Sequence, residues 1–145
     1  MRDSMGFSLP EAIIVLWLAV ILAAAALPGV IRLGRGWALV GGTRMLESSL
    51  LWARMHAVTS NDSLALIVEP GGRRFMWQDS TGSLYGNSIR DLPGGIAITK
   101  SPSRPLRFYQ HGNAAPAGTF VVQGTTGSYR VIVSLMGRIR IERAP

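Results

Sequence analysis

Hydrophobic and polar positions divide the chain into stretches of different periodicity. The first is unbroken: no charged residue occurs from Ala12 to Ile31, twenty positions in all. A helix of that length rises about 30 Å, the thickness of a bilayer's hydrocarbon core. Pro28-Gly29 falls near its end, and Gly34, Gly36, Gly41 and Gly42 follow. Each glycine costs a helix interior about 1 kcal/mol relative to alanine. Residues 28–42 therefore read as either a weak, kinked helix or a partly melted joint, a stalk in both cases. From Thr43 a helical period appears, with Leu46, Leu50, Ala53 and Ala57 on one face. Thr43 is placed to cap this helix and Glu47 lies near its positive end. Arg44 and Arg54 are expected on the solvated face and His56 at the helix surface or domain edge. Ser60-Asn61-Asp62 stops the helix.

Beyond residue 62 the period falls to two. Ser63–Glu69 and Arg73–Gln78 flank Pro70-Gly71-Gly72, which predicts a hairpin. Ser80–Ser83 turns into Leu84-Tyr85, and Gly86–Gly95 is a loop broken by Pro93-Gly94-Gly95. Short strands follow at Ile96–Thr99 and Leu106–Tyr109, then a loop over His111–Gly118. Stronger strands are expected at Thr119–Gln123, Tyr129–Leu135 and Arg138–Arg143. Strands of this length and spacing predict an antiparallel sandwich after the helix.

Composition narrows the function. With 145 residues, one globular domain of about a hundred follows the apolar helix, enough for a modest core. The chain has no cysteine and only two histidines, His56 and His111, so neither disulfides nor a metal site is expected. Its net charge is +7, and Lys100 is its sole lysine; the other cations are arginines, whose planar fork suits phosphate and carboxylate. No enzyme is visible. Ser8 and Ser88 lack the glycines of a nucleophile elbow, and Gly34-Arg35-Gly36 is too short for a dinucleotide fingerprint. The six carboxylates after residue 31 (Glu47, Asp62, Glu69, Asp79, Asp91 and Glu142) are scattered through different elements. No cofactor is implied.

The apolar run opens on Gly6-Phe7-Ser8-Leu9-Pro10-Glu11. An ionised glutamate carried toward the bilayer centre costs roughly 3 kcal/mol, and nothing within the helix pairs with it. An ordinary secretory signal, with cleavage near Ala23–Ala26, fits poorly. The apolar run is long, Arg2 and Asp3 cancel, and an acid begins it. A plain single-pass anchor leaves the glutamate unexplained. The hexapeptide resembles the processing site of type IV prepilins and pseudopilins. That resemblance implies cleavage after Gly6 by a prepilin peptidase and N-methylation of Phe7. It also implies an assembly role for Glu11, pairing with the α-ammonium of Phe7 on a neighbouring subunit. A buried charge met by an opposite one becomes tolerable. Pro10 then sits in the first turn, where its missing N–H has no partner in any case.

Leu50–Ala57, running into Ala65–Val68, is similar to a segment of the H-type pseudopilins of the GspH/FimT family. The resemblance implies an α+β fold, a long N-terminal membrane-spanning helix packed on a small antiparallel β-sandwich. The expected organisation is a cleaved leader at 1–6, a hydrophobic helix and glycine-rich stalk at 7–42, and a periplasmic domain at 43–145. The implied location is the bacterial inner membrane, single-pass. The implied partners are the prepilin peptidase and other pilin or pseudopilin subunits. The work would be that of a minor pseudopilin of a type II secretion system, in a short filament that promotes protein export.

The last hairpin leaves a second reading open. Met136-Gly137 predicts a tight turn, after which Arg138 and Arg140 project from one face while Ile139 and Ile141 face the core. Two guanidinium groups about 7 Å apart match the phosphate spacing of one nucleic-acid strand. Gly137-Arg138-Ile139-Arg140 resembles the Gly-Arg-x-Arg motif of FimT-type minor pilins of type IV pili, which implies DNA as a partner in natural transformation. Arg90, Lys100, Arg104, Arg107, Arg130 and Arg143 make the wider region basic, and Phe108, Tyr109 and Tyr129 are aromatic neighbours. Arginine on an edge strand is equally how sheets avoid sticking to one another.

Overall fold

The computed structural model of the chain describes residues 9–144. Helix α1 spans Leu9–Ser60. Nine strands follow: β1 (Leu64–Val68), β2 (Arg74–Gln78), β3 (Arg90–Asp91), β4 (Ala97–Lys100), β5 (Leu106–Phe108), β6 (Ala114–Ala115), β7 (Gly118–Gly124), β8 (Gly127–Val133) and β9 (Ile139–Arg143). They form two antiparallel sheets, β3-β2-β1-β5-β6 and β4-β7-β8-β9. The expected α+β class, one long helix on antiparallel sheets, is the class observed.

Two compact units divide between Gly34 and Arg35. In the first, the described side chains from Leu9 onward are exposed along the helix. One window of 18 residues there has a mean hydropathy of 2.6, long and apolar enough to cross a membrane.

In the second unit the core forms where the helical period of α1 meets the two-residue period of the strands. Leu39, Leu46, Leu50, Ala53 and Ala57 present one buried helix face. Leu64, Leu66, Phe75, Trp77, Leu106 and Phe108 answer from the first sheet, and Ile98, Phe120, Val122, Val131 and Val133 from the second. Register aligns these positions: Leu66 lies opposite both Trp77 and Leu106, and Phe120 opposite Val131. Each such side chain contributes about 1.5–3 kcal/mol on burial.

The helix ends as the sequence signals. Asn61 takes a left-handed conformation (φ 54°), and the Ser60 hydroxyl donates to His56 O at 2.7 Å. Of the two readings of 28–42 the helical one is observed, and Gly42 is buried where the helix approaches Ile96, Pro93 and Leu92. One local expectation fails. Thr43 is consequently no cap. It sits inside the helix, buried, with Oγ1 donating to Leu39 O at 2.9 Å. Propensity is a weak prior, and packing of the turns from Leu39 onward outweighs it.

The loop expected over Gly86–Gly95 contains the two-residue strand β3, and Ser88 ties it down. Its buried hydroxyl accepts from Trp77 N at 3.2 Å and donates to Trp77 O at 3.1 Å, a purely structural use. The β1–β2 turn joins the two sheets. Ile98 N donates to Gly72 O at 2.8 Å, and Gly72 has a φ of 65°. A side chain there would collide with the Ile98 carbonyl. Gly72→Ala is therefore expected to destabilise the protein by more than about 2 kcal/mol, read as a fall in the thermal midpoint.

Candidate functional site

The C-terminal hairpin is held on the helix by one arginine. Residues Ser134–Arg138 form its turn: Ser134 N donates to Arg138 O at 3.0 Å and Gly137 N to Ser134 O at 2.9 Å. A second turn, Tyr109–Asn113, lies beside it, and Ala114 N donates to Leu135 O at 2.9 Å. Arg54 of α1 reaches both turns, its Nε donating to Gly112 O at 2.9 Å and its Nη2 to Met136 O at 3.3 Å. Arg54 is thus half-buried and structural, not on the solvated face the helical pattern implied. Its partners lie 58 and 82 residues away, so no local signal announces them.

Gly137 is part of the same junction. It is buried with a φ of 70°, and a Cβ there would collide with Gly112 O and lie 2.8 Å from Arg54 Nε. The turn chemistry and the close approach together require glycine. Within Gly-Arg-x-Arg, then, the glycine shapes the turn while the arginine side chains stay exposed.

Arg138 and Arg140 are exposed, and Ile139 and Ile141 pack partly against the core. The pairing of β8 with β9 places Arg130 opposite Glu142 and Ile132 opposite Arg140, all on the face pointing away from the core. On β7, Val121 pairs with both Arg130 and Lys100, which brings Lys100 to that face despite a bulge in β4. One outer sheet face therefore gathers Lys100, Arg130 and Arg140, with Arg138 continuing the alternation at the hairpin end. Glu142 is the acid among them, its carboxylate 3.2 Å from Arg140 Nη1. Arg130 Nε is buried and without a partner among the described residues. Such a face offers phosphates cations from three of its four strands, β4, β8 and β9, with Val121 of β7 between Lys100 and Arg130.

Other residues of the basic group are placed elsewhere. Arg107 lies in the first sheet and donates to Ser63 Oγ at 3.0 Å. Arg90 is at that sheet's edge, in β3, and Arg143 pairs opposite Tyr129. Of the aromatics, Phe108 is buried in the core, Tyr129 packs partly against it, and Tyr109 is exposed. His56 is not a lone surface histidine. It stacks on Trp52 with ring centroids 5.1 Å apart, and Tyr85 tilts against it at 4.7 Å.

At the other end of the chain, Glu11 lies in the first turn of α1 and is exposed. Gly6 and Phe7, the expected cleavage and methylation positions, lie outside the described residues. Among the described residues no cluster of three metal-ligating side chains forms.

Residues 42–137 match the family model described as type II transport protein GspH. Among solved structures, the chain is similar to the minor pseudopilin EpsH from the type 2 secretion system of Vibrio cholerae. That similarity has a TM-score of 0.57 and 15% identity, over 73% of this chain and 96% of that one. It is also similar to the type IV minor pilin FimU of Pseudomonas aeruginosa, with a TM-score of 0.59 and 22% identity, over 70% of this chain and 90% of that one. At these identities the likeness is one of fold. No curated protein matches the chain.

The junction and the arginines separate in a stability measurement. Arg54→Ala should lower unfolding free energy by about 2 kcal/mol through its lost charged hydrogen bonds. Gly137→Ala should lower it at least as much. Arg138→Ala with Arg140→Ala should stay within about 0.5 kcal/mol, since exposed ion pairs contribute little. Urea unfolding of the full chain in detergent reads all three.

Proposed function

The chain belongs to the GspH family of type II transport proteins, and from that premise we propose that it is a minor pseudopilin of a type II secretion system. The family is one of structural, pilin-like subunits, and assembly with other such subunits follows from membership. In our reading a prepilin peptidase cuts after Gly6 and Phe7 is N-methylated. The apolar helix holds the subunit in the inner membrane, and the globular unit lies in the periplasm. The subunit then enters a short filament that promotes export of folded proteins.

The observation that carries this reading is Glu11 in the first turn of a helix whose next twenty residues, Ala12–Ile31, are uncharged and exposed. That surface needs lipid or other subunits around it, and the carboxylate needs an opposite charge once it leaves water. The helix of the globular unit supports the same assembly. Opposite its buried face, Trp37, Val40, Leu51, Met55 and Val58 form an exposed apolar stripe, suited to a neighbouring subunit's helix.

A second reading is favoured by the basic outer face of the second sheet. In it the subunit is a FimT-type minor pilin of a type IV pilus, and Gly137, Arg138 and Arg140 mark a DNA-binding hairpin. Gly137 sets the turn, and the two guanidinium groups contact successive phosphates.

Each element has a direct test. A bulky residue in place of Gly6 should leave the leader attached by mass spectrometry, whereas normal processing would remove the prepilin reading. Glu11→Ala should be processed normally yet fail to enter filaments, and unchanged assembly would remove the charge pair. For DNA, the full chain in detergent is titrated with a duplex across a salt series. If the second reading holds, replacing Arg138 and Arg140 by alanine lowers the slope of log K against log salt by about two. No binding at modest salt leaves the secretion reading standing.

A further inference from the structure

A groove on the globular unit, away from the outer face of the second sheet, has the chemistry of a small-ligand site. It lies between α1 and the loop after β2 and encloses about 410 Å³, within the size range of small-molecule sites. Trp52 and Tyr85 supply its aromatic surface, and Ser48, Ser49, Asn87 and Arg90 are among its polar lining. Trp52 stacks almost parallel on His56, at 14°, and Tyr85 braces both rings at 5.9 Å and 4.7 Å. The loop is fixed from beneath: Tyr85 N donates to Trp77 O at 2.9 Å, and the Ser88 hydroxyl holds Trp77 on both sides. The platform is therefore organised before any ligand arrives.

Its charge is as specific as its shape. Among the described residues no carboxylate lines the groove. Asp91, the sequence neighbour of Arg90, is engaged by Arg74 at 2.6 Å, and that carboxylate raises the Arg74 pKa above its ordinary value. Arg90 forms no ion pair among the described residues. Only its Nη1 is committed, to the carbonyls of Asn87 and Ile89 at 3.2 and 3.3 Å. The remaining edge of the guanidinium can take a carboxylate.

We propose that this groove binds a saccharide bearing a carboxylate, one pyranose ring seated on Trp52 and Tyr85 and its acid group on Arg90. A pyranose is amphipathic, with C–H groups on its faces and hydroxyls around its rim. That matches an aromatic floor surrounded by hydroxyl and amide groups. A wholly apolar ligand would leave those polar groups unpaired. A single strand of nucleic acid would stack equally well, but only one cation serves it here, whereas phosphate tracking needs a row of them. An extended peptide would find a strand of just two residues, Arg90–Asp91, to pair with. The proposal stands independently of the secretion and pilus readings.

The full chain, in a zwitterionic detergent free of sugar, is titrated with tetragalacturonate, with neutral cellotetraose and with an oligothymidylate. The readouts are the indole ¹H–¹⁵N signal of Trp52, assigned from Trp52→Phe, and calorimetry. Tetragalacturonate should bind in the millimolar range or tighter and shift the Trp52 signal, with cellotetraose about tenfold weaker. Arg90→Gln should abolish that difference while leaving cellotetraose binding unchanged. Trp52→Ala, at an exposed position and so compatible with folding, should weaken both sugars at least about tenfold. Three results would overturn the proposal: a Trp52 signal unmoved at about 10 mM saccharide, affinities indifferent to Trp52→Ala, or oligothymidylate displacing the sugar with higher affinity.

Discussion

Burial of one face of α1 is the interaction on which the globular unit depends. Leu39, Leu46, Leu50, Ala53 and Ala57 share a single core with side chains from both sheets. Each sheet has an apolar face that must be covered. The helix supplies two small residues, Ala53 and Ala57, and three leucines to that face, all buried. A face so fully committed also fixes its opposite, and the exposed stripe from Trp37 to Val58 is the geometric consequence of the same helical period.

Around that core, a few polar contacts decide where the loops lie. Gly72 ties the first sheet to the second through Ile98, Ser88 pins the β2–β3 loop to Trp77, and Arg54 gathers two distant turns onto the helix. Each satisfies backbone groups that would otherwise be buried unpaired. The functional surfaces follow from these anchors. The Arg54 junction sets the position of the β8–β9 hairpin, and hence of Arg138 and Arg140. The Ser88 anchor sets the Tyr85 ring beside Trp52 and His56.

The fold itself is neutral between two kinds of filament, since it resembles both a secretion pseudopilin and a type IV minor pilin. What distinguishes this chain is where its charges fall. One sheet face collects Lys100, Arg130 and Arg140 with a single acid, while Arg74 and Asp91 neutralise each other on the first sheet and Arg90 forms no ion pair among the described residues. Function on such a scaffold resides in side chains presented by strands of fixed register, so the same backbone can serve different partners.

Much of the architecture was legible in local pattern. Alternation located β1, β2, β7, β8 and β9, the Leu46–Ala57 period located the buried helix face, and Pro70-Gly71-Gly72 located the first hairpin. Alternation also placed Arg138 and Arg140 in solvent, with Ile139 and Ile141 on the inner side. Residues 28–42 stayed ambiguous because propensity counts each glycine separately, whereas the packing that favours helix begins only at Leu39. Thr43 read as a cap because Gly41-Gly42 just before it suggested a break, whereas the helix runs through them. Arg54 and Ser88 carried no signal at all, since their partners lie on other elements, and although Trp52 and His56 are helical i,i+4 neighbours, nothing local announced Tyr85 beside them. The sequence alone determined periodicity, and periodicity decides which face of each element is apolar. Only the tertiary structure decided which polar residues hold loops in place and which stay free for partners, because hydrogen bonds and ring contacts form between residues that only folding brings together.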